Sequence, residues 1–168
     1  SDEAAVAKIF VAKGRPADHP LIVHVASAAQ VPIFAAQVPD FAQALIDAFW
    51  PGPLTLILQR SWRVPDCVTG GQNTVGIRMP SHPIALALLH VLGPQKALAA
   101  PSPNRFGRLS PTTAAHVYQQ LGSEVDLILD GGSCAIGLES TIVSFHEQSP
   151  KILRPGGISA EEIETVLN

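Results

Sequence analysis

The chain has 168 residues, of which 46% are hydrophobic and 15% are charged, and its formal net charge at pH 7 is −3. At this length a single domain is expected, and folding should bury about 70% of the surface of the unfolded chain. The hydrophobic content excludes a disordered chain, and the negative net charge argues against general nucleic-acid binding, which depends on many phosphate contacts. The longest apolar run, Ile84 to Leu92, is interrupted by His90 and is far shorter than the roughly 20 residues of a membrane span.

Hydrophobic periodicity predicts an alternation of helices and strands along the chain. In chain order, the predicted elements are a helix at 3–12, a strand at 21–25, a helix at 40–49, strands at 54–58 and 74–79, a helix from 81 to 92, a buried strand at 96–100, a helix from 110 to 121, strands at 126–129, 140–145 and 151–153, and a helix from 159. A loop is predicted around Pro32, and a loop or a hairpin is predicted at 60–73. Trp50-Pro51-Gly52-Pro53 should end the second helix as a structural turn. This alternation is typical of an α/β or α+β domain with a mixed sheet.

Capping residues locate the helix ends. Asp2 is a predicted N-cap of the first helix, and Gly14 suits its C-terminal end. Ser81 and Ser110, the latter followed by a proline, are predicted to begin two later helices. Ser159 with Glu162 forms the pattern of a capping box, which predicts the start of the last helix.

No linker or repeat divides the sequence, so one domain is predicted over residues 1–168. A helix cap at Asp2 leaves no strand before the first helix. An α/β domain usually buries its first helix against such a strand, so we expect further sequence on the N-terminal side.

Most standard catalytic motifs are absent from the chain. The pattern Gly-x-Gly-x-x-Gly does not occur, and Gly132 with Gly137 is followed by Leu138-Glu139 where a P-loop needs Lys-Ser or Lys-Thr. Gly-x-Ser-x-Gly is also missing, so the sequence does not support the nucleophile elbow of a hydrolase. The histidines lack metal-ligand spacing, so no metal site is predicted. Cys67 and Cys134 form no C-x-x-C pattern and are predicted to be reduced thiols of a cytosol-like compartment, with a disulfide or metal site as the alternative.

The basic residues cluster beside turns rather than spreading along the sequence. Only 11 Lys and Arg occur, and two clusters, Lys13-Gly14-Arg15-Pro16 and Ser102-Pro103-Asn104, lie in breaks rich in proline or glycine. The basic residues next to turn residues are Lys13, Arg15, Arg78, Arg105, Arg108 and Arg154. Their placement predicts a gathered anion site, and the acidity of the whole chain indicates that the anion is small.

Seven motifs in consistent order, between about residue 4 and about residue 158, resemble the YrdC/Sua5 family. They are Lys13-Gly14-Arg15, Pro20-Leu21-Ile22-Val23-His24-Val25, Trp50-Pro51-Gly52-Pro53-Leu54-Thr55, Val75-Gly76-Ile77-Arg78-Met79-Pro80, Ser102-Pro103-Asn104, Glu139-Ser140-Thr141-Ile142 and Leu153-Arg154-Pro155-Gly156. The resemblance implies a single YrdC-like domain, with a twisted mixed sheet, flanking helices and a positively charged concave cavity. It also implies synthesis of threonylcarbamoyl-adenylate from L-threonine, bicarbonate and ATP with Mg²⁺, for the tRNA modification t6A at position 37.

The same resemblance implies roles for individual residues. The catalytic K-x-R and S-x-N set is matched by Lys13, Arg15, Ser102 and Asn104. The implied ATP-binding residues are Arg15, His19, Thr74, Ser102, Ser110 and Arg154, and the implied L-threonine-binding residues are His24, Arg78, Ala100 and Ser140. Local chemistry agrees for Arg78, whose planar guanidinium suits a carboxylate, and for Ser110, since helix N-termini attract phosphate.

Each of these residues also has a structural explanation that the sequence leaves open. Lys13 and Arg15 suit a helix C-terminus through the helix dipole. His24 could be a core histidine, and Ser140 could be an ordinary position in a strand. No carboxylate stands out as a general base, so bicarbonate and threonine should supply the reacting groups while the triphosphate holds most of the Mg²⁺.

The sequence departs from the family in its N-terminal part. Members carry, before the first helix, a strand and loop of the type P-T-E-T-V-Y-G-L, which nothing here matches. This difference keeps open the alternative of a catalytically inactive nucleotide- or RNA-binding module. A second alternative is a related carbamoyl-adenylate-forming domain of the hydrogenase-maturation type. A cytoplasmic location is expected, without membrane contact, and tRNA and other proteins of the t6A pathway are candidate partners.

Overall fold

A mixed sheet forms the centre of the computed structural model, which describes residues 2–135, 137–146 and 149–168. Its strands in the described residues are β1 (Ile22–His24), β2 (Leu54–Gln59), β3 (Thr74–Arg78), β4 (Leu98–Ala100), β5 (Thr141–His146) and β6 (Ser149–Arg154). They are ordered β4-β1-β3-β2-β5-β6. The β1–β3 and β2–β5 pairs are parallel, and the other neighbouring pairs are antiparallel. The predicted mixed sheet is confirmed.

Helices flank this sheet and connect its strands. They are α1 (Glu3–Lys13), α2 (Val31–Phe34), α3 (Asp40–Phe49), α4 (Asp66–Thr69), α5 (Pro83–Leu92), α6 (Ala114–Leu121) and α7 (Ala160–Leu167), with short 3-10 turns at Ala28–Gln30 and Gly122–Glu124. Within the described segments, no helix combines the length and the apolar character needed to cross a membrane.

The capping signals at both ends of the chain are confirmed. The Asp2 carboxylate accepts a hydrogen bond from the backbone N–H of Ala5 at 3.0 Å, and Gly14 ends α1 in the left-handed conformation with φ +60°. At α7, the Ser159 hydroxyl accepts from the Glu162 N–H at 3.2 Å, and the Glu162 carboxylate accepts from the Ser159 N–H at 2.8 Å. These helix ends are determined by local hydrogen bonds, which explains why they were visible in the sequence.

Two other predicted helix starts were wrong. The cap of α5 is His82, not Ser81, and its Nδ1 atom accepts from the Ile84 N–H at 3.3 Å. The residue directly before a first-turn proline occupies the cap position, which places the cap at residue 82. The cap of α6 is Thr113, whereas the Ser110 hydroxyl makes a tertiary hydrogen bond 29 residues further along the chain.

The strand predicted at 126–129 is also wrong. This segment pairs with no strand of the described residues, and Leu127 and Leu129 are 75% and 54% exposed. A short apolar run becomes a strand only where a sheet edge accepts it, and that choice is tertiary. Smaller differences are a shorter β4, half-buried at the sheet edge instead of fully buried, and the helices α2 and α4 inside the two predicted loops.

The two faces of the sheet have different surroundings because side chains alternate along each strand. One row of paired residues, Val23, Ile77, Leu56 and Val143, crosses β1, β3, β2 and β5 and is almost completely buried. These residues join the core formed with Val6, Phe10, Ala42, Leu45, Ile46 and Ile163 of α1, α3 and α7. This face carries the hydrophobic core, which leaves the opposite face for a site.

Candidate active site

A cavity of about 470 Å³ lies on the face of the sheet opposite the core. Its floor is the neighbouring row of paired residues, Ala100, Ile22, Gly76 and Ile57, on β4, β1, β3 and β2. A side chain at Gly76 would place its Cβ 3.3 to 3.5 Å from atoms of Ile57, Thr55 and Ile22. Because Gly76 has no side chain, the space above the middle of the cavity floor stays open.

Seven of the twelve predicted site residues line this cavity, although the sequence separates them by up to 139 positions. They are Arg15, His24, Arg78, Ala100, Ser102, Ser140 and Arg154. The described lining residues include three arginines but only one carboxylate, that of Glu139. The predicted anion-binding groups thus meet in one place.

The Trp50–Pro53 turn orients Arg78. The Arg78 Nε atom donates to the carbonyl of Gly52 at 3.0 Å, and the Gly52 N–H donates to the carbonyl of Met79 at 2.9 Å. A side chain at Gly52 would lie 2.2 Å from the Phe49 carbonyl, so only glycine fits there. The hydrogen bonds of the described residues leave both terminal nitrogens of Arg78 available for a ligand.

His24 is a neutral polar group beside that arginine. Burial, and next the charge of Arg78, lower the pKa of His24 to about 4. Its Nδ1 atom lies 3.1 Å from the Ile22 carbonyl, which fixes the ring. Burial is also the main cause of the lowered pKa of Arg78, to which the charge of Arg154 adds.

Lys13 ties the end of α1 to the loop that carries Ser102 and Asn104. Its Nζ atom donates to the carbonyls of both residues, and the Lys13 carbonyl accepts from the Phe106 N–H at 2.8 Å. Lys13 is only 5% exposed, and its pKa is lowered by burial and then by the charge of Arg15. The lysine lies behind the cavity wall, while Arg15 reaches the cavity itself.

Asn104 stabilises the same loop from within. Its side-chain amide donates to the carbonyls of Arg105 and Arg108 at 2.9 and 2.8 Å. In the described structure, the Asn104 Oδ1 and Arg15 Nε atoms are buried without a hydrogen-bond partner. Such atoms are uncommon in folded proteins, and both belong to the predicted catalytic set.

Ser140 holds Arg154 at the other side of the cavity. The Arg154 Nη2 atom donates to the Ser140 carbonyl at 2.8 Å and contacts the Ser140 hydroxyl at 3.0 Å, and Nε contacts the same carbonyl at 3.2 Å. The Ser140 hydroxyl also lies 2.8 Å from the hydroxyl of Thr55, which is completely buried. Thr55 supports the site from below and was not predicted as a functional residue.

Glu139 is a second residue that sequence reasoning missed. Its carboxylate forms an ion pair with Arg154 and accepts a hydrogen bond from the Ser110 hydroxyl at 2.9 Å. This contact connects Ser110 to the cavity although Ser110 does not line it. The position of Glu139 within a family motif was the available signal, but its partner residues are distant in sequence.

His19 and Thr74 lie outside the cavity lining. The ring of His19 packs edge-on against Phe106, with 5.3 Å between ring centroids. Thr74 is on the same face of β3 as Gly76 and Arg78, because alternate residues of a strand share a face.

Other features of the described residues give less support for a site. A larger groove of about 1290 Å³ includes Trp62, Arg63 and Lys96 but none of the predicted site residues. No group of three or more His, Cys, Asp or Glu with metal-binding geometry occurs in the described part of the chain. Cys67 and Cys134 are free thiols.

Comparison with known proteins decides the family. The Sua5/YciO/YrdC family model, described as "Telomere recombination", matches residues 1–156. The chain belongs to the Sua5/YciO/YrdC family.

Curated members of the family are similar to this chain over nearly its whole length. A threonylcarbamoyl-AMP synthase of Pyrococcus abyssi is 49% identical over 99% of the chain and 48% of that relative, and one of Bacillus subtilis is 48% identical over 97% of the chain and 47% of that relative. The crystal structure of Pyrococcus abyssi Sua5 complexed with L-threonine superimposes with a TM-score of 0.94, again covering 99% of this chain and 48% of the other. The chain therefore spans about half the length of these Sua5 relatives.

Proposed function

We propose that this Sua5-type chain is an L-threonylcarbamoyladenylate synthase, a nucleotidyltransferase that forms threonylcarbamoyl-AMP and pyrophosphate from L-threonine, bicarbonate and ATP. Its product would serve the t6A modification at position 37 of tRNA. The observation that carries this proposal is the convergence of Arg15, Arg78 and Arg154 on one cavity, beside a neutral histidine. The names of the curated relatives favour this function over the two alternatives.

The reaction needs positioned cations more than a nucleophilic side chain. The threonine nitrogen attacks the carbon of bicarbonate and water leaves, which gives a carbamate. A carbamate oxygen then attacks the α-phosphorus of ATP, and the bond to the β-phosphate oxygen breaks to release pyrophosphate. Two anions must approach each other in this step, so fixed guanidinium groups would lower the barrier by holding them and neutralising the developing charge.

The threonine would lie near the sheet floor. The free nitrogens of Arg78 would bind its carboxylate in bidentate fashion, and Ala100 would contact it through its backbone or methyl group. His24 remains uncharged at neutral pH, so its ring would not attract the phosphates toward the threonine position. Ser140 would contribute through its hydroxyl group.

The nucleotide would bind in the same cavity, beside the threonine. Arg15, Ser102 and Arg154 would contact the phosphates directly, with Ser110 reaching them from its position beside Glu139. We assign His19 and Thr74 to the outer part of the nucleotide. Lys13 and Asn104, the other members of the catalytic set, would act by holding the loop that presents Ser102.

Mg²⁺ would enter with ATP and neutralise phosphate charge. Because the described residues contain no cluster of three metal-binding side chains, the triphosphate oxygens would hold most of it. The chain itself would bind and orient the phosphate oxygens. We expect the reaction in the cytoplasm, with tRNA or other proteins of the t6A pathway as partners of the product.

One assay separates this function from its alternatives. The protein is incubated with ATP, Mg²⁺ and bicarbonate, and pyrophosphate is measured with and without L-threonine. Pyrophosphate release that depends on threonine supports the synthase. Release that instead depends on added carbamoyl phosphate supports the hydrogenase-maturation type. ATP binding without any release indicates an inactive module.

A substitution at Arg78 tests the assignment of the two substrates. Arg78→Ala should weaken threonine binding by about 10- to 100-fold, because charge-assisted hydrogen bonds contribute about 1.5–3 kcal/mol. ATP binding should change much less. Arg78→Lys keeps the charge but not the bidentate geometry, so it should recover only part of the loss in KM for threonine. Equal losses for ATP and threonine in Arg78→Ala would contradict the assignment.

A further inference from the structure

Glu139 places a negative charge in a cavity that is otherwise suited to anions. It is the one carboxylate among the described residues that line the cavity. Its two oxygens contact different partners, the Ser110 hydroxyl at 2.9 Å and the Arg154 guanidinium. Both partners are residues that we assign to the ATP phosphates. The carboxylate therefore makes the contacts that a phosphate group would need.

Arg154 does not depend on Glu139 for its orientation. Its Nε and Nη2 atoms contact the carbonyl and hydroxyl of Ser140, which is 3% exposed, at distances of 2.8 to 3.2 Å. These contacts fix the plane of the guanidinium. Glu139 contacts only the remaining nitrogen of the Arg154 guanidinium, Nη1.

The backbone of Glu139 is closely packed, whereas its side chain is exposed. Gly157 donates its N–H to the Glu139 carbonyl at 3.0 Å, and a Cβ at Gly156 would come within 2.3 Å of that same oxygen. This close approach fixes the strand entry at residue 139. The side chain of Glu139, in contrast, is 41% exposed, and an ion pair this exposed is worth little against solvent.

We propose that the Glu139 carboxylate occupies the place of a substrate phosphate group in the ligand-free protein and swings out when a phosphate binds. This inference rests on the proposed function only for the identity of the nucleotide. The phosphate carries more negative charge than the carboxylate, so it takes over the contacts to Arg154 and Ser110. Until then, Glu139 keeps Arg154 paired and lowers the affinity of the cavity for anions in general. Glu139 is thus an affinity- and specificity-determining residue, which favours a polyphosphate over singly charged anions.

The test measures anion affinity separately from turnover. Dissociation constants for ATP and for inorganic pyrophosphate are determined by calorimetry, in EDTA and in Mg²⁺, for the unmodified protein and for Glu139→Gln. The amide keeps the size of the side chain but removes the charge. We expect Glu139→Gln to bind both ligands about three- to tenfold more tightly, since it removes an exposed competing ion pair and a nearby like charge. Phosphate and chloride should inhibit Glu139→Gln more strongly than the unmodified protein.

Two variants serve as matched controls. Glu124→Gln makes the same change in net charge at an exposed residue outside the cavity and should leave both dissociation constants unchanged. Glu139→Asp keeps the charge at the site and should show no gain in affinity. A structure of the unmodified protein with pyrophosphate provides a measurement that needs no variant, and it should show the pair between Glu139 and Arg154 broken.

Several results would overturn the inference. Equal or weaker binding by Glu139→Gln would do so, as would an intact pair in the pyrophosphate complex or failure of the unmodified protein to bind either anion. Weaker binding only with Mg²⁺ would identify Glu139 as a metal ligand instead. The outcome is independent of the synthase assay. Tighter anion binding without threonine-dependent turnover would refute the proposed function alone, and normal turnover with unchanged affinities would refute this inference alone.

Discussion

The two faces of one sheet use neighbouring residues of the same strands for opposite purposes. On β2, Leu56 is completely buried in the core, whereas Ile57 lies on the floor of the cavity. On β3, Ile77 is buried in the core and its neighbours Gly76 and Arg78 line the cavity. Because the side-chain period of a strand is two, a single strand supplies both stability and a site without compromise between them.

The two faces also contribute differently to the free energy of folding. The core face removes apolar surface from water, which is favourable. The candidate site buries parts of Lys13, His24 and Arg78, and desolvation lowers the pKa of each of them. Backbone carbonyls partly offset this cost, as those of Ser102, Asn104 and Gly52 do for the two cations. The cavity is therefore expected to contribute little to stability and much to binding.

The largest effect should come from the core face. Leu56→Ala removes a completely buried side chain and should lower the free energy of unfolding by about 2–5 kcal/mol, because it leaves a cavity at the centre of the sheet. Urea unfolding measures this change. Ile57→Ala, the matched change at the next residue, should cost distinctly less because Ile57 is only partly buried. Similar losses for both variants would contradict the difference between the faces.

The pH dependence of stability tests the cavity face. The pKa of His24 is about 4 in the folded protein, below its ordinary value of 6.5, so the unfolded chain binds more protons between these values. Stability should therefore fall as the pH decreases from 6.5 to 4, by up to about 3 kcal/mol, and this contribution should change no further below pH 4.

A variant isolates the histidine from other groups that titrate in this range. For His24→Gln, the free energy of unfolding should depend less steeply on pH when urea unfolding is measured between pH 4 and pH 7. If the protein and His24→Gln show parallel curves, His24 is not held neutral by the fold.

The smallest effect on stability is expected at the cavity floor. Gly76→Ala adds a methyl group 3.3 to 3.5 Å from three neighbouring side chains and should change the free energy of unfolding by less than about 1 kcal/mol. Threonine affinity should nevertheless fall by about tenfold, since one additional carbon in a fitted pocket has an effect of this size. Calorimetric titration with threonine measures it. Gly137→Ala, which has open space around its Cβ, should alter neither quantity.

Predictions succeeded where the hydrogen bonds that determine a feature join residues close in sequence. Asp2, Gly14 and the Ser159–Glu162 box were predicted correctly because their hydrogen bonds lie within one helical turn. Ser110 was assigned to a helix cap by the same reasoning and proved to contact Glu139 instead. For a residue in a loop, a distant partner can replace the local one.

The candidate site was predicted from motif order rather than from geometry. That order was sufficient to name seven of the residues that line the cavity, including Arg78 and Ser140. It could not reveal that Lys13 donates to the carbonyls of the distant Ser102–Asn104 loop, or that Thr55 supports Ser140 from the buried side. Those contacts depend on which strands become neighbours.

The sequence alone determined the alternation of elements and the ends of the first and last helices, and it predicted a small set of residues of which seven line one cavity. These follow from backbone hydrogen bonding, side-chain periodicity and residue chemistry, which act over a few positions. Only the tertiary structure decided that 126–129 stays outside the sheet, that Lys13 holds a loop and that Glu139 pairs with Arg154. Each of these outcomes joins residues far apart in the chain, and the energy of such a contact exists only after the sheet has brought its partners together.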